Sequence, residues 1–406
     1  MYDLSLTPEQ LEFRDTVRDF VESEVKPAAL NPKRLEPFEK PLLAGLLDKA
    51  AQMGLRSLAL SEEAGGAGAD GLTACIVMEE LGAGDVDLAA VLAQTATLAH
   101  ALFDRLMTPA QRKRYLPEFI GNDGYHLAFV GRDPGAGAGW SYHRPLAESA
   151  ADVQAVMQGK EWVVNGALAF VPNATVAKLF AVQVRTGTQG LATLLVPRNA
   201  PGLTVREPLR AIGEAIRWHH GAGAGVVFKD CRVPADQALG GSAAEVAAEL
   251  ARGVPLLAAV NLGLGRAAFD AAVEYAKLRR QGGRNIIEHQ AIGTKLADCA
   301  IRLELARNAI WKAAWTLDHP DAVAGRSVSD LPLHVLARVY TAQAVNEVAL
   351  LAAECFGAMG VMRDMPLQKY VHDSMVFVHS EETDGAAKLA VAEAVAGFRR
   401  PAADAA

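Results

Sequence analysis

Glu381 is the residue of this sequence best suited to moving a proton. It follows the apolar run Met375-Val376-Phe377-Val378 and precedes Glu382 and Thr383. A carboxylate emerging beside apolar side chains is partly desolvated, which raises its pKa and suits it to work as a general base. The same residues also make an ordinary N-cap cluster for a following helix, and both readings stand at this level. The acid pairs Glu62-Glu63 and Glu79-Glu80 read as solvated helix faces or caps. The run Gly135-Ala136-Gly137-Ala138-Gly139 has the look of a dinucleotide loop, but that loop needs a helix behind it to meet a pyrophosphate. Trp140-Ser141-Tyr142-His143-Arg144-Pro145 opens no helix, so a loop at the entrance of a β region is the better account. The histidines form no H-E-x-x-H, the adjacent His219-His220 read as surface residues, and no metal site is expected. No G-x-S-x-G is present to support a nucleophilic serine.

The elements that must position these groups fall in the order helical, β, helical. Thr7 is a good N-cap, Pro8 suits the first helical position and Gln10 completes a capping box. Phe13, Val17, Phe20 and Val21 then make one apolar stripe. Further helices are predicted over Leu42–Met53, Thr73–Leu81 and Ala89–Leu106. Strands are predicted over Val153–Met157, Trp162–Val164, Leu179–Val184, Ala192–Val196 and Val226–Phe228. Turn signals at Gln158-Gly159-Lys160, Asn165-Gly166 and Pro201-Gly202 separate them. No helix intervenes between these strands, so an antiparallel sheet or barrel is expected. After Pro234 long helices return, over Ala243–Arg280, Glu288–Leu317, Pro332–Phe356 and Gly385–Phe398, as in a bundle. The expected domains are 1–124 helical, 125–236 β and 237–400 a helical bundle.

Composition bounds the function. The chain has 406 residues, 51% of them apolar, enough for two or three domains with a sizeable core. Its 40 basic and 47 acidic residues leave a net charge of −7, which argues against nucleic acid or an anionic membrane surface as the main partner. Cys75, Cys231, Cys299 and Cys355 are far apart and fit neither a disulfide framework nor a zinc site, so a reducing, cytoplasmic setting is expected. Neither a signal peptide nor a membrane span is expected.

Four segments carry a resemblance to the acyl-CoA dehydrogenase superfamily, and together they cover nearly the whole chain. They are Leu6-Thr7-Pro8-Glu9-Gln10; Phe228-Lys229-Asp230-Cys231-Arg232-Val233-Pro234; Arg279-Arg280-Gln281-Gly282-Gly283-Arg284 with Ile287–Ile292 and Lys295–Asp298; and Gly357–Asp364 leading to Glu381. The resemblance implies an α+β fold in which an N-terminal helical domain and a C-terminal four-helix bundle flank an antiparallel β-barrel or sandwich. It implies a dimer of dimers, FAD held between subunits, an acyl-CoA thioester laid against the flavin, and an electron-transfer flavoprotein as acceptor. Carried over residue by residue, it makes Glu381 the catalytic base. It assigns Arg279, Thr383, Phe129, Phe170, Asn173, Gln290, Glu354 and Gly357 to the cofactor, and Arg252 and Ala138 to the substrate.

The chain also departs from the family pattern. Arg132 stands where a flavin-bonding hydroxyl is usual, Ala138 replaces a serine near the ligand, Phe170 replaces a tryptophan, and Pro172 replaces another hydroxyl. Gly282, Glu354, Ala358 and Glu382 replace the usual phenylalanine, glutamine, glycine and small residue. Three expectations follow: an FAD-dependent dehydrogenase with an unusual flavin environment, one subunit of a heteromeric dehydrogenase, or a flavin-free relative that binds acyl-CoA or serves assembly.

Overall fold

Thr7, Pro8 and Gln10 open the first helix as their types predict. The Thr7 hydroxyl accepts from the Gln10 N–H at 3.2 Å, and the Gln10 side chain accepts from the Thr7 N–H at 3.0 Å, which caps α1, Pro8–Phe20. The computed structural model describes residues 5–31, 42–131, 153–187, 190–206, 219–242, 245–246, 249–250, 254–323, 331–362, 364–379 and 385–396. After α1 the chain passes through a π-helical stretch, Val21–Val25, and then forms α2, Ala44–Gln52; α3, Gly71–Gly84; α4, Val86–Ala99; and α5, Pro109–Gly121. The sequence reading passed over α5, although Thr108, Pro109 and Gln111 cap it just as Thr7, Pro8 and Gln10 cap α1.

Seven strands follow: β1, His126–Val130; β2, Val153–Gln158; β3, Glu161–Val171; β4, Ala177–Thr186; β5, Gly190–Pro197; β6, Leu203–Val205; and β7, Ala224–Pro234. They form one curled sheet in the order β1-β4-β2-β3-β7-β6, with β5 on the other edge of β4. The expectation of an antiparallel barrel needs one correction. β4 runs parallel to β1 and to β2, whereas the β2–β3, β3–β7, β4–β5 and β6–β7 pairs are antiparallel. A parallel pair needs a long crossover, and here the β2–β3 hairpin is part of it where a helix was taken to be required. The hairpin turns at Gly159-Lys160 as predicted, with Gly159 at φ +65°. Asn165-Gly166 is a bulge inside β3 and not a turn. The Asn165 side chain accepts from the Asp230 N–H at 2.8 Å there, and the β3–β7 register shifts.

Further helices among the described residues are α6, Leu256–Leu278; α7, Gln290–Asp318; α8, Leu333–Phe356; α9, Leu367–His379; and α10, Gly385–Ala396. α9 was not expected: Met375–Val378 read as an apolar run, whereas Leu367, Tyr370, Ser374 and Phe377 give it a helical buried face. Three helical stretches, Val86–Leu106, Leu256–Leu278 and Leu333–Val361, are long and apolar enough to cross a membrane, contrary to the expectation that no such stretch exists. In this fold much of their surface is buried against other elements.

One apolar core runs from Val17 and Val21 through α3, α4, α6, α7 and α8 to Phe377, so the two helical regions share their interior. A second core fills the curl of the sheet, around Val130, Phe180, Val196 and Phe228. A third joins the other sheet face, at Leu127, Leu179 and Leu195, to Phe103 and Phe119.

The shared core depends on a close crossing of α3 and α6. A Cβ on Gly82 would lie 2.2 Å from the Val260 carbonyl oxygen, and one on Gly263 would lie 2.1 Å from that of Glu79, so only glycine admits this approach. Glu79 and Glu80 sit beside the crossing with side chains 7% and 4% exposed. They are not a solvated face. Arg18 of α1 and Arg266 of α6 each grip Glu80 through two hydrogen bonds, of 2.7 and 3.1 Å and of 2.8 and 2.6 Å. Arg307 of α7 holds Glu79 at 2.8 and 3.2 Å. Burial alone would raise the Glu80 carboxyl, but hydrogen bonds and charge from Arg266 and Arg18 outweigh it and hold the group below its ordinary 4.5. Removing one partner from such a buried set leaves charge uncompensated, so Glu80→Ala is expected to cost about 3–5 kcal/mol. Denaturant unfolding at pH 7 measures this. Because the folded-state pKa is depressed, the Glu80 contribution is complete above about pH 4.5 and is lost as the pH falls below it. The gap between wild type and variant therefore narrows in acid.

Candidate active site

Two groups of the expected site residues can be placed, and four fall elsewhere. Glu381, Thr383, Arg252 and Ala138 lie outside the described residues, as do Arg132, Gly135–Gly139 and Glu382.

The first group belongs to the sheet. Phe129 lies on β1, half-buried, with its ring over Gly131: a Cβ on that glycine would come within 2.6 Å of it. Phe170 is the penultimate residue of β3, also half-buried. One side of its ring rests on Gly223, where a Cβ would come within 2.0 Å, and its centroid lies 4.1 Å from that of His219. Asn173 is placed differently from the expected cofactor contact. It is 1% exposed, at φ +59°, and its amide donates inward to Val91 O, Thr95 Oγ1 and Leu127 O at 3.1, 3.2 and 3.3 Å. The left-handed backbone turns the side chain into the fold, where it joins α4 to β1. Thr95 in turn pairs with Nδ1 of buried His126 at 3.1 Å.

The second group gathers at one end of the bundle. Arg279 caps α6 and is exposed, its N–H donating to Tyr275 O at 2.8 Å. The chain then makes a short hairpin, Arg280–Gln281 with Arg284–Asn285, turning at Gly282 and Gly283. Gln290 begins α7, exposed. Glu354 near the end of α8 pairs with Lys295 of α7, and Gly357 follows the helix at φ +58°. Tyr275 stacks on Phe356 at 4.1 Å, bringing the ends of α6 and α8 together. A cleft of about 350 Å³ between α2 and the sheet, lined by Asp48, His126, Lys178 and Arg198, holds none of the expected site residues.

The sequence reading missed a buried charged cluster where the three regions meet. Lys369 and Asp373 of α9 pair at 2.6 Å with side chains 2% and 3% exposed. Burial opposes the Lys369 charge, but Asp373 and Asp85 outweigh it and raise its pKa. His220 is not on the surface: its side chain is 8% exposed, against Asp87 and α9. The i, i+4 spacing of Lys369 and Asp373 was a readable signal for the ion pair. Nothing local marked His220.

Three family models match the chain in order. These are the N-terminal domain of acyl-CoA dehydrogenase over residues 7–123, its middle domain over 146–230 and its C-terminal domain over 242–396. The short-chain specific acyl-CoA dehydrogenase of Rattus norvegicus, a mitochondrial protein, is 29% identical over 388 residues, 93% of this chain and 88% of that protein. Among solved structures, butyryl-CoA dehydrogenase from Megasphaera elsdenii superposes with a TM-score of 0.80 at 24% identity, covering 97% of this chain and 100% of that one. A glutaryl-CoA dehydrogenase from Mycobacterium smegmatis in complex with FADH2 does so with a TM-score of 0.79 at 19% identity, covering 97% and 95%. Both share the fold.

The Asn173–Thr95–His126 cluster makes a pH prediction. Burial, reinforced by Arg56 and Lys178, pushes the His126 imidazole down from 6.5 to about 3. The unfolded chain therefore binds a proton that the folded one refuses. Stability is complete above about pH 6.5 and falls as the pH drops toward 3, by up to about 1.4 kcal/mol per pH unit. His126→Asn is expected to flatten that slope between pH 6.5 and 5, as read from unfolding midpoints.

Proposed function

The chain belongs to the acyl-CoA dehydrogenase family, and from that premise we propose that it converts an acyl-CoA thioester to the 2-enoyl-CoA with Glu381 as the base. The observation that carries this reading is the ordered match of all three family segments, with Glu381 inside the last, over residues 242–396.

The family is FAD-dependent. The described residues suit the phosphate end of that cofactor: Arg279 offers an exposed guanidinium fit for a pyrophosphate, while the Phe170 ring is packed between Gly223 and His219. Gln290 and Gly357 lie at the same bundle end as Arg279, and Asn173 is spent inside the fold. When bound, the flavin supplies the acceptor for the hydride that leaves C3. The Glu381 carboxylate takes the proton from C2, whose acidity comes from the thioester carbonyl. As that C–H bond breaks, negative charge grows on the thioester oxygen, and donors aimed at it lower the barrier. Arg252 and Ala138 complete the substrate side of the reading.

Electrons would leave to an electron-transfer flavoprotein, and the working assembly would be a tetramer in a reducing, cytoplasmic setting. The four described cysteines are buried and unbridged, which supports that setting. Arg132 and Pro172, standing where hydroxyls are usual, favour a heteromeric tetramer in which a related chain completes each flavin bed; Pro172 has no N–H to offer.

The test is the visible spectrum of the purified protein, alone and co-expressed with a related chain. Anaerobic addition of a saturated acyl-CoA is expected to bleach the flavin. Glu381→Gln is expected to slow bleaching by about 100- to 10,000-fold while leaving acyl-CoA binding intact. Unchanged bleaching in that variant removes Glu381 from the mechanism.

A further inference from the structure

His220 touches all three regions of the chain. It lies in the segment that leads into β7, and its Nε2–H donates to the backbone oxygen of Asp373 on α9 at 2.9 Å. The acceptor is a carbonyl, so the hydrogen is on Nε2. The ring also lies against Phe377, one helical turn further along, with centroids 4.3 Å apart. On its other side Nδ1 faces Oδ1 of Asp87 at 3.5 Å, in the first turn of α4. The next N–H, of Gly221, donates to that same carboxylate oxygen at 3.0 Å. Asp373 is itself fixed by Lys369 at 2.6 Å and approached by His372 Nδ1 at 3.5 Å. Asp85, the N-cap of α4, acts on the Lys369 charge.

This grip has a specific mechanical content. A hydrogen bond to one carbonyl stops α9 from sliding along its axis. A ring packed against the side chain one turn later stops it from rotating about that axis. On the other side, the Gly221 N–H donating to Asp87 anchors the grip to the N-terminal helices. α9 ends at His379, two residues before Glu381 in the chain. We propose that His220 is a positioning residue for dehydrogenation, setting the height and rotation of the helix from which the Glu381 segment departs. The inference rests on the reading of Glu381 as the base. It adds a residue that the family resemblance did not assign and that the sequence marked as surface.

The test uses two variants of the flavin-loaded protein. His220→Phe keeps a ring against Phe377 and removes the donor to Asp373. His220→Gln restores an N–H near the Nε2 position. A displacement of the order of 1 Å at a reacting group costs about 100-fold, so His220→Phe is expected to lower the flavin-reduction rate about 10- to 100-fold with KM for acyl-CoA changed less than about threefold. His220→Gln is expected to recover about tenfold of that loss. In the flavin-free protein, hydrogen exchange at the backbone amides of 376–379 is expected to quicken in the Phe variant and slow again in the Gln variant. Equal reduction rates in the two variants, or a wild-type rate in His220→Phe, overturn the proposal. So does exchange at 376–379 that matches wild type in both. Failure of the base assignment would show separately, as unchanged bleaching in Glu381→Gln with the exchange pattern still obeyed.

Discussion

Four helices meet on two buried carboxylates. Glu79 and Glu80 of α3 are held by arginines from α1, α6 and α7, beside a crossing so close that Gly82 and Gly263 have no room for a side-chain carbon. The two features need each other. The backbones approach because glycine permits it, and that approach takes the carboxylates out of water. Once dry, they require the guanidiniums, because an unpaired charge there costs several kcal/mol. Helices more than two hundred residues apart in sequence are thereby fixed against one another, as the Glu79–Arg307 pair shows.

The site residues depend on that frame without belonging to it. α6 ends at Arg279, α7 begins at Gln290 and α8 ends before Gly357, so clamping these helices brings a cation, an amide and an open glycine turn to one end of the bundle. Phe170 is carried by the sheet, which is tied to the N-terminal helices through the inward-facing Asn173 and to α9 through His220. The mutual placement of sheet and bundle is thus set by buried polar contacts at their junctions, while Phe129 and Phe170 stay half-buried and Arg279 exposed.

Much of this was legible in the sequence, for physical reasons that differ from element to element. The capping box at Thr7 and Gln10 is a local hydrogen-bond exchange and is visible in four residues. The β2–β3 hairpin was marked by a glycine with positive φ. The helical, β, helical order followed from periodicity, and the family followed from four short segments in that order. Some failures were local, since the caps of α5 and the helical period of α9 were readable, but those at the buried polar groups were long-range. Glu79-Glu80 looks the same in sequence whether water or arginine faces it, and its partners lie about 60 to 230 positions away. His220 and Asn173 turned inward because of what packs on them, which no local pattern reports. Parallel pairing of β4 with β1 and β2 escaped because the hairpin replaced the expected helical crossover.

The most direct measurement is exchange at C2 of the substrate. A saturated acyl-CoA incubated anaerobically in deuterated water with the flavin-loaded protein is followed by mass spectrometry. If one carboxylate removes and returns the C2 proton, deuterium enters at that carbon, and the label disappears when position 381 carries glutamine. Label that persists in the glutamine protein, or never enters with the native one, contradicts the assignment of the base on which the enzymatic reading stands.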